Sequence, residues 1–84
     1  MKNFEDVVDL IERADRLIRL KATGTFYEFA ATLHISRASV FRLLQYVRAM
    51  GAPVQYCKYR KTYYYQYPIK IEITFRVICL ERID

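Results

Sequence analysis

Residues 26–44, FYEFAATLHISRASVFRLL, decide the fold that this sequence predicts. The residue before them, Thr25, is placed to form a capping box with Glu28. In such a box the Thr25 hydroxyl accepts a hydrogen bond from the Glu28 backbone amide, and the Glu28 carboxylate accepts one from the Thr25 amide. A short helix is therefore expected over 26–33, with an inner face formed by Phe29, Ala30 and Leu33.

A longer helix follows after a tight turn. Ser36 is an N-cap residue for a helix over 37–50, which Gly51 ends in the left-handed region and Pro53 prevents from continuing. Ile35 is apolar in an otherwise polar turn, so its side chain is expected to fill the core between the two helices. The buried stripe of the longer helix is predicted as Val40, Leu43, Leu44, Val47 and Met50.

On the N-terminal side, residues 4–21 predict another helix, because their apolar side chains recur with the 3.6-residue helical period. Asn3 is the expected N-cap. Acidic residues gather near the start of this helix and basic residues near its end, as the helix dipole favours. Its apolar positions are Phe4, Val7, Val8, Leu10, Ile11, Ala14 or Asp15, Leu17 and Ile18.

On the C-terminal side the apolar period changes to two, which indicates β-strands. A hairpin is expected from strands over 54–58 and 62–67, with a basic tip at 59–61. The alternation over 69–78 predicts a third, half-buried strand. The chain is therefore expected to form one α+β domain over 1–84, with three helices, a hairpin and an extra C-terminal strand.

This order of elements resembles the winged helix-turn-helix domains at the N-terminus of bacterial regulators of the DeoR and WYL type. The resemblance covers about residues 4–67, with 54–67 in the place of the wing. It departs at His34, where those families often have glycine, although histidine tolerates positive φ. It also departs at Thr62, where a wing-tip glycine is common. The residues that match the small core of those families are Ala30, Leu33, Ile35, Ser36, Val40 and Leu44.

The resemblance implies binding of double-stranded DNA, with the third helix in the major groove. Arg37 and Arg42 would each offer a fork to guanine or to phosphate, and Ala38 and Phe41 would reach a thymine methyl. Gln45 would pair with adenine or contact phosphate. The residues expected to contact DNA are Ser36, Arg37, Ala38, Ser39, Phe41, Arg42, Gln45, Lys58, Arg60 and Lys61.

Ser36 and Ser39 are in this set because hydroxyls and free amides at a helix start suit a phosphate. Lys58, Arg60 and Lys61 would lie on the wing, against the DNA backbone or the adjacent minor groove.

Structural alternatives exist for several of these positions. Phe41 would be a core residue if the helix were rotated by one position. Arg48 either contacts the DNA backbone or is simply exposed to solvent at the end of the helix. Six of the eight tyrosines lie within 56–67; stacking on unpaired bases is one use for them, and covering a small sheet is the more common one.

The charge distribution agrees with a polyanionic partner. The chain has 14 Lys and Arg, nine of them Arg, against 9 Asp and Glu, for a net charge of +5. Residues 16–67 contain nine bases and one acid, Glu28, whereas residues 1–15 contain two bases and five acids. Arginine suits bidentate contacts with phosphate or guanine.

Other classes of function find little support in the sequence. The chain shows no catalytic triad, paired carboxylates, phosphate-binding loop or metal-ligand set, so we expect neither an enzyme nor a cofactor. It has no stretch long enough to span a membrane and no signal peptide at its start. Cys57 and Cys79 are expected to be reduced thiols in a cytoplasmic protein, with a disulfide between them as the alternative.

The sequence thus predicts a small bacterial transcriptional regulator without a small-molecule effector, since an effector domain does not fit in 84 residues. The alternatives are a winged-helix protein-interaction module and an accessory factor of a mobile element without direct base readout. The strand over 69–78 is expected to extend the sheet and to form a homodimer. Its alternative is to fold back on its own hairpin.

Overall fold

The chain folds as three helices followed by a two-stranded antiparallel sheet, and the α+β class is as predicted. This computed structural model describes residues 3–75 and 77–81. None of the helices in those ranges combines the length and the apolar composition that a bilayer crossing requires. The elements are α1 (Phe4–Arg19), α2 (Phe26–Leu33), α3 (Arg37–Ala49), β1 (Val54–Cys57) and β2 (Thr62–Tyr65).

The three predicted helix caps are confirmed. Asn3 Oδ1 accepts a hydrogen bond from the backbone amide of Asp6 at 3.0 Å. The Thr25 amide donates to Glu28 Oε1 at 2.9 Å, and the Glu28 amide donates to Thr25 Oγ1 at 3.3 Å, which completes the capping box. Ser36 Oγ accepts the amide of Ser39 at 3.1 Å. Each helix therefore begins where its capping residue predicts.

Each helix is followed by a residue in the left-handed backbone region. Lys21 (φ 55), His34 (φ 57) and Gly51 (φ 105) follow α1, α2 and α3 respectively. In each case the next amide donates back to a carbonyl in the last helical turn, which is the Schellman closure. This closure ends α1 at Arg19 and α3 at Ala49, two residues and one residue before the predicted ends.

The core lies where the three helices meet the inner face of the hairpin. Phe29 and Val40 are completely buried, and Val54 and Tyr63 close the core from the strands. Met50, predicted to be buried, is 53% exposed because it follows the last residue of α3. Phe4, also in a predicted apolar stripe, is mostly exposed because it is the first residue of α1.

The hairpin pairs Val54 with Tyr65 through to Cys57 with Thr62. Two buried threonines attach it to the loop between α1 and α2. The Tyr63 amide donates to Thr23 Oγ1 at 2.8 Å, and the two threonine hydroxyl oxygens are 3.0 Å apart. The hairpin is thereby fixed against the helices at the start of its second strand.

The predicted third strand over 69–78 is wrong, because the residues described there form no strand. The alternation itself is real, but its inner side chains pack on α1 and the core rather than on a sheet. The Ile71 backbone amide, for example, donates to Asp15 Oδ1 of α1 at 3.2 Å and not to a strand carbonyl. Alternation shows that every second side chain faces a core, not which element forms that core. The inner residues are Ile69, Ile71 and Ile73.

Residues 69–75, which we call the strap, run back along α1 toward its start. The Ile71 amide bonds to Asp15 in the fourth turn of α1, and the Phe75 ring lies 5.1 Å from that of Phe4 at its first residue. Consequently the strap covers α1 and leaves the hairpin as a two-stranded sheet.

Candidate nucleic-acid interface

The structure places α3 with one side in the core and the other in solvent. Val40, Leu44 and Val47 are buried. Phe41 is 56% exposed, so its alternative position in the core is wrong. The predicted stripe is therefore open to a ligand along the helix, and its exposed members are Arg37, Ala38, Phe41, Arg42 and Gln45.

The start of α3 carries two serine hydroxyls with different roles. Ser36 Oγ accepts the Ser39 amide and donates its proton to Ser39 Oγ at 3.0 Å, so the Ser36 hydroxyl is committed to the cap. The Ser39 hydroxyl keeps its own proton to donate. Of the two serines predicted to contact phosphate, Ser39 thus has the free donor.

Arg37 is held by a residue that the sequence did not single out. Its guanidinium carbon lies 5.1 Å from the centre of the Tyr27 ring in α2, a cation–π contact. Tyr27 is itself exposed, so the pair forms part of the surface. No spacing in the sequence marks this partner, because the contact depends on how α2 and α3 pack.

The guanidinium groups on α3 form no ion pair with any acidic residue that the structure describes. Within the described residues the ion pairs are Arg13–Asp9 and Arg19–Asp15, and both lie within α1. Arg37 and Arg42 are therefore exposed guanidinium groups without an ionic partner among the described residues. Arg48 is different, because its Nε donates to the Val54 carbonyl at 3.3 Å and connects α3 to β1.

The hairpin tip is a second basic surface. Lys58, Arg60 and Lys61 are all exposed there, as predicted. Lys61 adopts φ 52, so the strained position of the tip lies one residue before Thr62. Lys21, at the end of α1, lines the same shallow depression as Arg60 and adds a base that the sequence reasoning did not include.

Glu28 is an acidic residue close to these bases, and its carboxylate is already hydrogen-bonded to Thr25 as a helix cap. Hydrogen bonds from the backbone and then the side chain of Thr25 hold the pKa of Glu28 below its ordinary value, and the nearby positive charge of Lys61 adds to this. The Glu28 carboxylate is a helix cap beside the hairpin tip. It is also the one acid in residues 16–67, so this part of the surface keeps its positive sign.

Two of the tyrosines have the structural role, which is one of the two that the sequence left open. The Tyr63 ring packs 5.7 Å from Phe29 and 4.8 Å from Tyr56, and the Tyr65 hydroxyl donates to Asp15. Tyr63 and Tyr65 are therefore structural. Tyr59 at the hairpin tip is fully exposed and packs on nothing.

The cysteines and the potential metal ligands do not cluster in the described part of the chain. Cys57 and Cys79 are both free thiols, so the alternative disulfide is absent from this structure. No three His, Cys, Asp or Glu side chains come together there as metal ligands would.

No family model, no curated protein and no solved structure matches this chain. Its function must be inferred from the geometry and charge of its own surface.

Proposed function

We propose that this chain is a winged-helix protein that binds double-stranded DNA as a small transcriptional regulator. The observation that carries the proposal is the outer face of α3. Two exposed guanidinium groups, Arg37 and Arg42, stand there without an ionic partner among the described residues. The opposite side of the helix is fixed in the core.

The dimensions and side chains of α3 suit a major groove. Its 13 residues span about 20 Å at 1.5 Å per residue, and a single helix fits the groove's width. Ala38 and Gln45 lie between the two arginines around the helix, so a small side chain and an amide would approach the base edges. Arg37 and Arg42 would flank them and bind guanine or phosphate.

The hairpin would bind beside the groove. Lys58, Arg60 and Lys61 project from a tip that Thr23 and Thr62 hold against the helices. Fixed bases on this tip suit contacts to the DNA backbone, which position a protein without reading sequence.

The first test compares Arg42→Ala with Arg16→Ala in binding to a short duplex, measured by fluorescence anisotropy. Both variants lose one exposed guanidinium, but Arg16 lies on α1 and not on α3. We expect Arg42→Ala to weaken binding to a preferred site by about 1–3 kcal/mol, and Arg16→Ala to have little effect. Equal weakening on all sequences would make Arg42 a phosphate contact.

A salt titration with random duplex tests the proposal as a whole. Binding at low salt that weakens steeply as salt rises is expected from phosphate contacts. Absence of binding at every salt concentration would overturn it and favour a protein-interaction module. Binding-site selection from random duplexes would then show whether the protein reads sequence and how its half-sites are spaced.

A further inference from the structure

An apolar groove opens between the first half of α1, α3 and the strap. Its volume is about 370 Å³. Ser39, Arg42 and Tyr46 contribute polar groups to its lining, and the other lining side chains are apolar. The side chains that form its walls include Phe4, Val7, Val8, Leu43, Tyr46 and Ile73.

The chain also carries an apolar segment whose side chains are exposed among the described residues. Beyond the strap, Val77 is 102% exposed, Ile78 64% and Leu80 91%. The radius of gyration is 15.5 Å, against about 12 Å for a compact domain of this length, and the longest dimension is 61 Å. Residues 77–80, which we call the apolar tail, therefore lie outside the compact body.

We propose that two copies of this chain exchange their apolar tails, so that the tail of each copy fills the groove of the other. The chain carries both halves of this contact, and a twofold axis would repeat it. In this structure the tail does not fill its own groove: the strap ends where Phe75 meets Phe4, and the tail side chains beyond it stay exposed. The exchange differs from sheet extension, which needs a strand that is absent from the described residues.

The size of the contact suits a reversible dimer. Roughly 100 Å² of apolar surface leaves water when one large apolar side chain is buried. The three large apolar side chains of the tail then contribute about 300 Å² to each contact, and the two tails about 600 Å² together, before the smaller area of the groove walls is added. The interface therefore lies at the small end of specific interfaces, where complexes are weak and reversible.

Sedimentation velocity on the full chain tests the exchange. We expect a dimer at micromolar to tens of micromolar concentrations, and a dissociation constant at least tenfold higher for the double variant Val77→Asp, Leu80→Asp. Leu20→Asp is the matched control, because Leu20 is 66% exposed but follows the far end of α1. Its dissociation constant should be unchanged. The tail variants should fold, since Val77 and Leu80 contact no core residue.

A crosslink between two different copies tests the geometry. One copy carries Tyr46→Cys with Cys79→Ser, the other keeps Cys79, and both carry Cys57→Ser. Cys79 lies in the apolar tail and Tyr46 in the groove wall, so mild oxidation should join the two copies covalently. Moving the groove cysteine to Leu20→Cys should abolish the product.

Two results would overturn the exchange. A full chain that stays monomeric at several hundred micromolar would do so, and so would a dimer that survives the double aspartate variant. Neither result bears on DNA binding, since no DNA is present in either experiment. A monomer that binds duplex DNA would leave the proposed function intact.

Discussion

At the scale of single residues, Asp15 shows how one buried carboxylate joins distant segments. It is 2% exposed and accepts hydrogen bonds from Arg19 Nε at 2.9 Å, the Tyr65 hydroxyl at 2.6 Å and the Ile71 amide at 3.2 Å. These partners belong to α1, β2 and the strap. The sequence indicated only that position 14 or 15 faces inward, because partners 50 and 56 residues away leave no local signal.

Asp15→Ala should therefore destabilise the fold strongly. It removes a charged acceptor and leaves buried donors without partners, a change that costs about 3 kcal/mol or more. Urea unfolding at neutral pH measures the loss. Asp9→Ala is the control, because Asp9 forms an exposed 4.0 Å ion pair with Arg13 and should contribute under about 0.5 kcal/mol. A similar effect of both substitutions would contradict this role for Asp15.

The hydrogen bond from Tyr65 to Asp15 makes the stability of the fold depend on pH in the alkaline range. Burial, then the hydrogen bond to Asp15 and its charge, raise the pKa of the Tyr65 phenol well above its ordinary value of 10.0. As pH rises past about 10, the unfolded chain loses this proton before the folded chain does. The free energy of unfolding should thus be maintained below pH 10 and fall above it.

Urea unfolding between pH 8 and 11.5 tests this dependence. Tyr65→Phe should have a shallower decline above pH 10 than the unsubstituted chain. Some slope should remain, because burial also raises the pKa of Tyr63. Identical slopes in the two proteins would contradict the assignment.

At the scale of elements, the helix ends divide into those that the sequence indicates and those that it conceals. Capping residues act within three positions, so Asn3, Thr25 and Ser36 could all be recognised. Gly51 is the usual residue for a left-handed end. Lys21 is not, so α1 was predicted to continue through it.

His34→Gly should stabilise the protein, because a residue with a side chain is strained in the left-handed region. The expected gain is about 1 kcal/mol in the free energy of unfolding. His34→Ala should give no gain, since alanine retains the Cβ that causes the strain. Thermal and urea unfolding measure both variants, and destabilisation by glycine would show that the imidazole itself contributes to folding.

The hairpin and the strap show what an alternating sequence pattern can and cannot predict. Both follow a period of two, and the hairpin was predicted with nearly correct bounds. The strap was predicted as a strand because the pattern records only that Ile69, Ile71 and Ile73 face inward. The contact of Ile71 with Asp15 comes from tertiary structure and could not be read from the pattern.

At the scale of the whole molecule, the charges separate. Between its start and Glu12, α1 presents Glu5, Asp6, Asp9 and Glu12 to solvent, whereas every charged residue of α3 and the hairpin tip is basic. Local sequence composition predicted this division. The pairing of Arg37 with Tyr27 and the position of Lys21 near Arg60 required the packed structure.

Under the proposed function, Lys61→Ala should reduce the salt dependence of DNA binding. Losing one phosphate contact should make the slope of log K against log salt shallower by about 0.9. Anisotropy titrations between 50 and 200 mM salt measure the slope. Lys70→Ala removes the same charge from the strap and should leave the slope nearly unchanged. Equal effects of the two would show that net charge, not contact, controls affinity.

The strap also fixes when the fold can be completed during synthesis. Of the described elements α1 leaves the ribosome first, but the strap that covers one side of it comes more than fifty positions later. A nascent chain that stops before Ile71 would leave that side of α1 open to proteases and chaperones, and Asp15 would lack one of its three hydrogen-bond donors. Of the three helices, the first to be made is thus the last to be finished.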